Sequence, residues 1–446
     1  MTPAPLAAVV MAAGLGTRMR SSRPKHLHEL LGRRMVDWVL EALVPLAPAP
    51  SLLVCSPEAK PELGRALRSG VSLVVQGQPL GTGHAVLSSR EALAGFEGDL
   101  LVLAGDTPLL TSDVLAALVA AHRRARPAVT VLSFEPVEPG AYGRIIRGPE
   151  GRLSRIVEAA DASPAELAVR EVNSSVYVFA LPGLWEALER LEPANAKGEL
   201  YLTDAVRLLV EAGRPAAVEI APVAAEVEGV NTRAELARAA AALRDRVALG
   251  HMLAGVAIVD PSTTWIDVGV ELEPDAVVHP FTVLRGSTRV GAGAEVGPHV
   301  VAVDAEIGAG ASVGPFCYLR PGARLGEGAK AGSFVEVKNS TLGAGAKVPH
   351  LSYIGDAEVG EGTNVAAGAI TANYRPELGE GKQRTVIGRD VHTGSHNVFV
   401  APVEIGDGAW IAAGSTITED VPPGALAIAR ARQVNREGYR GGPRRD

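Results

Sequence analysis

A glycine-rich stretch near the N-terminus, VVMAAGLGTRMRSSRPKHL from Val9 to Leu27, places basic residues just beyond two glycines. Gly14 and Gly16 follow an apolar run and precede Arg18 and Lys25. Backbone N–H groups in a glycine loop that opens a helix form a cradle for anions. The pattern therefore predicts a phosphate-binding loop. The simpler alternative is a glycine turn beside two solvated charges.

A second polar position lies beyond another apolar run. Asp106 follows the segment LLVLAG, so Gly14 and Asp106 both lie just past the end of a strand candidate. In parallel sheets, ligands bind outside the carboxyl ends of the strands. This placement favours a binding site over a simple turn, although a single Asp after a strand is often only a cap or turn residue.

The first half of the chain alternates strand-like and helix-like segments. The strand candidates are Leu6–Ala13, Ser51–Cys55, Val71–Gln76, Leu100–Ala104 and Ala128–Phe134. The helix candidates between them are Met35–Leu43, Gly83–Leu93 and Ser112–Ala125. Continuous apolar strands alternating with helices predict a mainly parallel, Rossmann-like α/β sheet with both faces covered.

Near Gly250 the chain becomes rich in glycine, and aliphatic or similar residues return every six positions. The runs are Ile307, Val313, Leu319, Leu325, Ala331, Val337; Leu342, Val348, Ile354; Val359, Val365; and Ile387, Thr393, Phe399, Ile405, Ile411, Ile417. A six-residue period fits a short strand followed by a tight corner. It predicts an all-β domain, a left-handed parallel β-helix of hexapeptide repeats.

The segment NTRAELARAAAALRDRV between the two halves predicts one helix. Thr232 and Glu235 have the spacing of a capping box, with Thr232 as the N-cap. We therefore expect an α/β domain over residues 1–230, a linker helix over 231–250 and the β-helix over 251–446.

The composition excludes several classes of protein. The chain is 47% hydrophobic and 21% charged with a net charge of -7, so it lacks the basic balance of a nucleic-acid-binding protein. Cys55 and Cys317 give no disulfide framework, which favours a reducing, cytoplasmic compartment. No apolar run approaches the roughly 20 residues of a membrane span, so we expect no membrane insertion.

The pattern G-x-G-T-R-M followed by P-K resembles the signature of the sugar nucleotidyltransferases. QGQPLGTGHA, LAGDTPLL, YGRI, IVE, EVN and VEGVNTR resemble further segments of that family in the same order. The resemblance implies uridylyl transfer from UTP to a sugar 1-phosphate, with Arg18 and Lys25 as catalytic residues that neutralise phosphates. It implies Mg²⁺ ligands at Asp106 and Asn231. The implied nucleotide and sugar contacts are Ala12, Ala13, Gly14, Lys25, Gln76, Gly81, Thr82, Gly143, Glu158, Asn173 and Asn231.

YLRPGARL, FVEVKNS, VPHLSYIGDAEVGEGTNVAAG and TANY resemble the acetyltransferase site of family members that carry a hexapeptide domain. The resemblance implies that His350 is a general base oriented by Glu336, and that acetyl-CoA is the co-substrate. The implied sugar-phosphate contacts are Arg320, Lys338, Tyr353 and Asn364. The implied acetyl-CoA contacts are Ala367, Asn373, Tyr374, Ser395, Ala413 and Arg430. A purely structural coil has no need of Arg, Lys, His and Tyr within about fifty residues.

Both resemblances together imply a homotrimeric, bifunctional enzyme of UDP-N-acetylglucosamine synthesis in bacterial cell-envelope formation. It would acetylate glucosamine 1-phosphate and then couple N-acetylglucosamine 1-phosphate to UTP. One alternative is a monofunctional nucleotidyltransferase for another sugar 1-phosphate, with the β-helix as a scaffold. Another is a regulatory subunit that binds sugar nucleotides without turnover.

Several features depart from the family pattern, among them the stretch EAADA from Glu158 onward, which replaces a more polar one. Ala104 stands where a tyrosine is common, Ser175 where a glycine is usual, and His396 where an acidic residue is common. The loop after Tyr374 is longer than usual and lacks an Asp-Gly pair. These positions predict differences in the sugar pocket and in the coenzyme loop. His392 and His396 are four apart, but the local period of six keeps them from being a predicted metal pair.

Overall fold

The computed structural model describes residues 4–439 of the chain, apart from 15, 149, 150 and 182. The chain divides into two units, Met1–Leu243 and Arg244–Asp446. Among the described residues, no helix is both long and apolar enough to cross a membrane.

One mixed sheet runs through the first unit. Its described strands are β1 Leu6–Ala12, β2 Ser51–Cys55, β3 Val71–Val75, β4 Asp99–Ala104, β5 Val129–Phe134, β6 Arg144–Arg147, β7 Leu153–Val157, β8 Val172–Ala180 and β9 Ala216–Ile220. The helices are α1 Met35–Ala42, α2 Lys60–Arg65, α3 Thr82–Leu87, α4 Ser112–Ala125, α5 Pro164–Leu167, α6 Gly183–Glu189 and α7 Leu202–Glu211. Single 3₁₀ turns occupy Thr17–Met19, Lys25–Leu27, Val44–Leu46, Glu91–Leu93 and Ala224–Glu226, and a small hairpin pairs Glu29–Leu30 with Arg33–Arg34.

The strand order is β9-β5-β8-β4-β1-β2-β3. The strands β1 to β4 are mutually parallel where they pair, as predicted. The strand β8, which was not among the strand candidates, is antiparallel to both of its neighbours β4 and β5 and carries the antiparallel ribbon β6–β7. Hydrophobic periodicity indicates which side chains are buried and does not indicate the direction of a strand. The antiparallel direction of β8 therefore could not be predicted from the sequence.

Both faces of the sheet are covered, as predicted. Alternate residues of β1 point to opposite sides: Val10 packs in an apolar cluster with Leu118 of α4, and Val9 packs in another with Val206 of α7. Because β1 and β4 are parallel neighbours, their carboxyl ends lie side by side at one edge. The loop after β1 and the residues after β4 therefore meet there.

Short parallel strands stack into three faces in the second unit. The first face holds Ala257–Ile258, Val277–Val278, Glu295–Val296, Ser312–Val313, Lys330–Ser333, Lys347–His350, His392–Thr393, Trp410–Ile411 and Leu426–Ala427. The second holds Trp265–Ile266, Val283–Arg285, Val301–Val303, Tyr318–Leu319, Glu336–Lys338, Tyr353–Gly355, Ile370–Ala372, Val398–Val400 and Thr416–Ile417. The third holds Glu271–Leu272, Arg289–Val290, Glu306–Ile307, Arg324–Leu325, Thr341–Leu342, Ala357–Val359, Thr385–Ile387 and Val403–Ile405.

The residues of the predicted six-residue runs are all buried, and all except the polar Thr393 share one hydrophobic core, which confirms the parallel β-helix. Ile307 is 3% exposed, Val337 is 0% exposed and Ile417 is 4% exposed. We call the turn from the first face to the second face the first corner. Its apex residues have positive φ and are, from the bottom coil upward, Phe281, His299, Phe316, Phe334, Leu351, Gly368, His396 and Gly414.

The helix α8, Arg233–Leu253, begins in the first unit and ends in the second. The predicted capping box is present. Thr232 Oγ1 accepts a hydrogen bond from the Glu235 N–H at 3.2 Å, and Glu235 Oε2 accepts one from the Thr232 N–H at 2.9 Å. These bonds satisfy backbone donors that the helix leaves open at its start.

Candidate active sites

The loop after β1 brings Lys25 back against the end of β4. A 3₁₀ turn at Lys25–Leu27 buries the lysine, whose residue is 8% exposed. Gly105 follows β4 and donates a backbone hydrogen bond to Met11 of β1 at 2.9 Å. A Cβ at Gly105 would lie 2.9 Å from the Met11 carbonyl oxygen, so glycine permits this close approach of the two chain segments. Asp106 is thereby held beside the loop.

Three predicted site residues converge on one another. Lys25 Nζ is hydrogen-bonded to Asp106 Oδ2 in a short ion pair and donates to Asn231 Oδ1 at 2.9 Å. Arg18 also donates to Asn231 Oδ1 at 2.9 Å. Two cations therefore engage the side-chain oxygen of Asn231 just before the start of α8.

The carboxyl of Asp106 is held in its ionised form. Burial acts to raise its pKa, but the Lys25 ammonium beside it outweighs burial, and the pKa of Asp106 is lowered from its usual range. The neighbouring His26 is also buried, and burial together with Lys25 lowers its pKa to about 4. At neutral pH the site therefore holds one carboxylate, one ammonium and a neutral imidazole.

The donor set at this edge fits a divalent cation. A carboxylate oxygen of Asp106 and the amide oxygen of Asn231 both point at the Lys25 ammonium, so a positive charge already stands where the two oxygens meet. Mg²⁺ prefers oxygen ligands and keeps several positions for waters and phosphates. The described residues contain no group of three or more His, Cys, Asp or Glu suited to a metal. Asp106 and Asn231 would thus supply a partial ligand set, which substrate phosphates would complete.

The predicted nucleotide segment Gln76–Thr82 is held by its own side chains. Gln76 Nε2 donates to the Gly81 carbonyl oxygen at 3.1 Å. Thr82 Oγ1 accepts from the Leu202 N–H at 3.0 Å at the start of α7. A Cβ at Gly81, whose φ is +113°, would lie 2.6 Å from a backbone oxygen of Leu200. These contacts fix the position of the segment. Ala12 is the last residue of β1, and Ala13 and Gly14 follow it directly.

The predicted sugar contacts lie on the β6–β8 part of the sheet. A Cβ on Gly143 would lie 3.5 Å from Glu158 Oε1, so these two positions are adjacent. Glu158 Oε1 accepts from Thr203 Oγ1 at 3.2 Å, and burial raises the pKa of the Glu158 carboxyl. Asn173 Nδ2 donates to Tyr177 Oη at 2.7 Å. Gly143 and Glu158 therefore form one polar spot, and Asn173 is oriented by Tyr177.

In the β-helix, the structure pairs Glu336 with Arg320. Their side chains stand on neighbouring coils of the second face, 2.9 Å apart. The described residues include no hydrogen bond between Glu336 and His350. The orienting role of Glu336 toward His350 therefore stays a prediction, while its contact with a predicted sugar-phosphate residue is made.

Asp356 was not among the predicted site residues, but it connects three residues that were. Its Oδ2 lies 3.9 Å from Lys338 Nζ and accepts from Asn373 Nδ2 at 2.5 Å. Asn373 Nδ2 also donates to Tyr353 Oη at 3.2 Å. The only sequence signal was its place at the end of the motif YIGD, three residues after Tyr353 and within the quoted segment.

His350 lies directly before the apex of the first corner on its coil, and several predicted acetyl-CoA residues lie on the coils above it. We call this line of residues the track above His350. The Gly368 N–H donates to the His350 carbonyl at 3.3 Å, and the His396 N–H donates to Ala367 at 2.7 Å. On the coils above, the Gly414 N–H donates to Ser395 at 2.8 Å, and Arg430 donates to the Ala413 carbonyl at 2.9 Å. The predicted acetyl-CoA residues Ala367, Ser395, Ala413 and Arg430 therefore follow one another upward from His350.

The other predicted contacts lie beside this track. Asn364 bridges Lys347 and His392 in the first face. Tyr374 begins the long loop, where Lys382 Nζ lies 4.1 Å from the centre of the Tyr374 ring. A 3₁₀ turn at Pro376–Leu378 shapes the loop between them. The two ends of the loop are thus held together by a cation–π contact.

Comparison with known proteins accounts for both units. The model of the MobA-like NTP transferase domain matches residues 8–209. The bifunctional protein GlmU of Streptomyces coelicolor is 48% identical, and the match covers 98% of this chain and 94% of that protein. GlmU of Mycobacterium tuberculosis is 46% identical over 98% of this chain and 92% of its own length. The chain belongs to the family of bifunctional GlmU proteins.

Among solved structures, UDP-glucose pyrophosphorylase complexed with UDP-glucose matches with a TM-score of 0.44 and 19% identity over 54% of this chain and 99% of that chain. The matches to the GlmU relatives cover 98% of this chain, so they include the β-helix as well as the first unit. Membership of the GlmU family therefore rests on the whole chain.

Ser175 stands where the family pattern has a glycine, and its backbone conformation is one that favours glycine. Ser175 has a φ of +62°, at a bulge in β8 between Asn173 and Val176. Its N–H donates to Asn173 Oδ1 at 3.1 Å. A left-handed conformation costs a residue with a Cβ roughly 1–2 kcal/mol, which explains why glycine suits the position. Ser175 is thus a strained residue directly beside the predicted sugar contact.

Ser175→Gly is expected to stabilise the first unit by about 0.5–1 kcal/mol, because the strain is removed while unfolded glycine costs some entropy. Scanning calorimetry should show the transition of this unit at a higher temperature. The matched control is Ser174→Gly. Ser174 has no positive φ and donates to the Leu132 carbonyl at 2.7 Å, so this change should cost about 1–2 kcal/mol. A Ser175→Gly protein that melts earlier would contradict the strain argument.

Proposed function

We propose that the chain catalyses two transfers in UDP-N-acetylglucosamine synthesis. In the second unit, the amine of glucosamine 1-phosphate attacks the thioester carbonyl of acetyl-CoA, the C–S bond breaks and coenzyme A leaves. In the first unit, a phosphate oxygen of N-acetylglucosamine 1-phosphate attacks the α-phosphorus of UTP, and pyrophosphate leaves. Relatives named bifunctional match nearly the whole chain, which supports two activities over a nucleotidyltransferase with an inert β-helix.

The main support for a uridylyl-transfer site is the cluster of Lys25, Asp106 and Asn231 at the ends of β1 and β4. Phosphoryl transfer asks chiefly for positioning and for neutralisation of charge. Arg18 and Lys25 would bind the phosphates of UTP. Asp106 and Asn231 would hold Mg²⁺, which screens the phosphate charge when it is bound. An intact set of cations and a carboxylate argues for turnover rather than for regulatory binding.

The acetyl site is supported by the track above His350. Four coil-to-coil steps of about 4.8 Å give a path of roughly 19 Å from His350 to Arg430. The corner is bare at Gly414, where an added Cβ would meet nothing within 4 Å, whereas the His396 ring lies against Gly368. A long, narrow cofactor such as coenzyme A would fit there, with its thioester beside His350. His350 would take the proton that the attacking amine loses.

A two-by-two assay tests this function. UTP or acetyl-CoA is offered with either glucosamine 1-phosphate or N-acetylglucosamine 1-phosphate, and pyrophosphate and free thiol are measured. We expect thiol only from acetyl-CoA with glucosamine 1-phosphate, and rapid pyrophosphate release only from UTP with N-acetylglucosamine 1-phosphate. Pyrophosphate release with a different sugar 1-phosphate, and no thiol from either acceptor, would favour the monofunctional alternative.

A row of exposed rings along the first corner supports the proposed homotrimer. Phe281, His299, Phe316 and Phe334 stack on successive coils, with centroids 4.8, 4.8 and 5.1 Å apart and planes within 5°. Leu351 continues the row and is 62% exposed. We call these five residues the ring row.

Two quantities support the proposal that further copies of the chain cover the ring row. Its exposed apolar area is roughly 400 Å², about half of what one partner contributes to a standard interface. Its residues also adopt φ near +55°, which is costly for side chains with a Cβ. The corner between the third and first faces instead uses glycine, for example Gly310 and Gly328. A threefold arrangement would place equal residues of the copies at the same height.

Phe316→Ser combined with Phe334→Ser is expected to convert the trimer to smaller species, because each ring contributes about 2.5 kcal/mol of apolar burial per copy. Light scattering at matched concentration measures the mass. The matched control is Val259→Ser, a change of an exposed apolar residue outside the ring row that should leave the mass as in the wild type. A double variant that melts normally and keeps the full mass would place the interface elsewhere.

A further inference from the structure

A column of outward side chains crosses the first face beside the track above His350. In parallel register, Lys347 lies below Asn364, and His392, Trp410 and Leu426 follow on the coils above. The lower part of the column is polar. The upper part is aromatic and apolar, with Trp410 57% exposed and Leu426 63% exposed.

The indole of Trp410 is supported from below and open outside. Its ring centroid lies 4.8 Å from that of His392, with the two planes tilted by 38°. More than half of the Trp410 surface faces solvent, although tryptophan loses much free energy when it is left in water. Two adjoining rings on a rigid sheet form a preorganised surface for a flat aromatic ligand.

The Arg430 guanidinium reaches the coil that carries Trp410. Ala413 follows Trp410 by three residues, and Arg430 donates to the Ala413 carbonyl at 2.9 Å. Arginine recognises phosphate oxygens through its planar fork of donors, and aromatic rings stack on nucleobases of any sequence. An exposed arginine that reaches the same coil as an exposed indole is therefore the chemistry that recognises a nucleotide.

We infer that Trp410 and His392 hold the adenine ring of the coenzyme A thioester, with Arg430 beside its phosphates. This inference rests on the proposed acetyl transfer, which puts the thioester at His350. The nucleotide end of the extended donor then reaches the top of the track, where Trp410 lies on the adjoining face. The indole would select donors that carry the adenine nucleotide over shorter thioesters.

The test compares two donors, acetyl-CoA and acetyl-pantetheine, which share the thioester and differ in the adenine nucleotide. In Trp410→Ala, the ratio of kcat/KM for acetyl-CoA to that for acetyl-pantetheine is expected to fall about 10- to 100-fold, as base stacking is lost. Trp410→Phe keeps a ring and should restore most of the ratio. An unchanged ratio in Trp410→Ala would overturn the inference, whether or not both rates fall together.

A binding measurement keeps this inference separate from the proposed function. Addition of coenzyme A should quench tryptophan fluorescence of the wild-type protein, and pantetheine should not. The quenching should be lost in Trp410→Ala, which retains Trp38, Trp185 and Trp265. Absence of acetyl transfer from either donor would refute the proposed function. Equal quenching in the wild-type protein and Trp410→Ala would refute the adenine surface alone.

Discussion

Asp106→Ala is expected to lower Mg²⁺-dependent release of pyrophosphate from UTP by about 10²- to 10³-fold, which is the range for loss of one fixed electrostatic group. The change removes the carboxylate that balances the buried Lys25 and one of the two proposed oxygen ligands. Acetyl transfer in the same preparation should stay near the wild-type rate, because the lesion is confined to the first unit. Initial rates of phosphate release after pyrophosphatase treatment measure the loss.

Two variants sharpen this prediction. Asp113→Ala removes an exposed carboxylate in the first turn of α4 and should keep full activity. Asp106→Asn keeps the shape and one oxygen, so its residual rate should need more Mg²⁺ than the wild-type protein does. An Asp106→Ala enzyme with most of its uridylyl transfer would remove Asp106 from the site.

The ion pair also sets a pH dependence of stability. The pKa of Asp106 is lowered in the folded protein, so its contribution to the free energy of unfolding is complete above the unfolded value of about 3.9. That contribution is lost only as the pH falls through the lower folded value. Any loss of uridylyl transfer between pH 5 and 7 must therefore have a cause other than protonation of Asp106.

Much of the β-helix could be predicted because one rule covers every coil. Each coil must bury aliphatic side chains such as Val313 and Leu319 in the core. A six-residue spacing places one such side chain inside on each face of the coil. The α/β unit was predictable for a similar reason at β1 and β4. Continuous apolar strands are buried on both faces, and their ends then fix the positions of Gly14 and Asp106.

The remaining features depend on contacts between distant residues, which local patterns do not record. The direction of β8 follows from its pairing with β4 and β5. The engagement of Asn231 by Lys25 spans 206 residues, and Asp356 meets Asn373 across a coil of the helix. The strain at Ser175 is visible only once the bulge is known. Sequence motifs identified residues such as Lys25, Asn231 and Asn373 as members of a site, but they did not show which of these residues bond to one another.

The roles of Glu336 and His350 can be separated by one pair of variants. Glu336 bonds Arg320 at 2.9 Å, so Glu336→Gln is expected to resemble Arg320→Ala and to raise the KM for glucosamine 1-phosphate. If Glu336 instead orients His350, Glu336→Gln should lower kcat and leave that KM near its wild-type value. The comparison decides which partner the carboxylate serves in the active protein.

His350→Ala is expected to lower kcat for acetyl transfer by about 10²- to 10⁴-fold, the usual effect of removing a general base. The attacking amine must lose a proton, and imidazole is the side chain that accepts one near neutral pH. The KM for acetyl-CoA should change little, since the track above His350 is built from other residues. Titration of the free thiol of coenzyme A follows the rate.

The competing explanation is that His350 only fills a corner of the β-helix. His350 is exposed, and the described residues give its side chain no hydrogen bond, so its removal should leave the thermal transition unchanged. A matched control is His279→Ala, which removes a surface imidazole bonded to Glu295 at 2.7 Å and should keep the full rate. Acetyl transfer that falls only in step with stability would identify a structural residue. A stable His350→Ala protein with the wild-type rate would require another base.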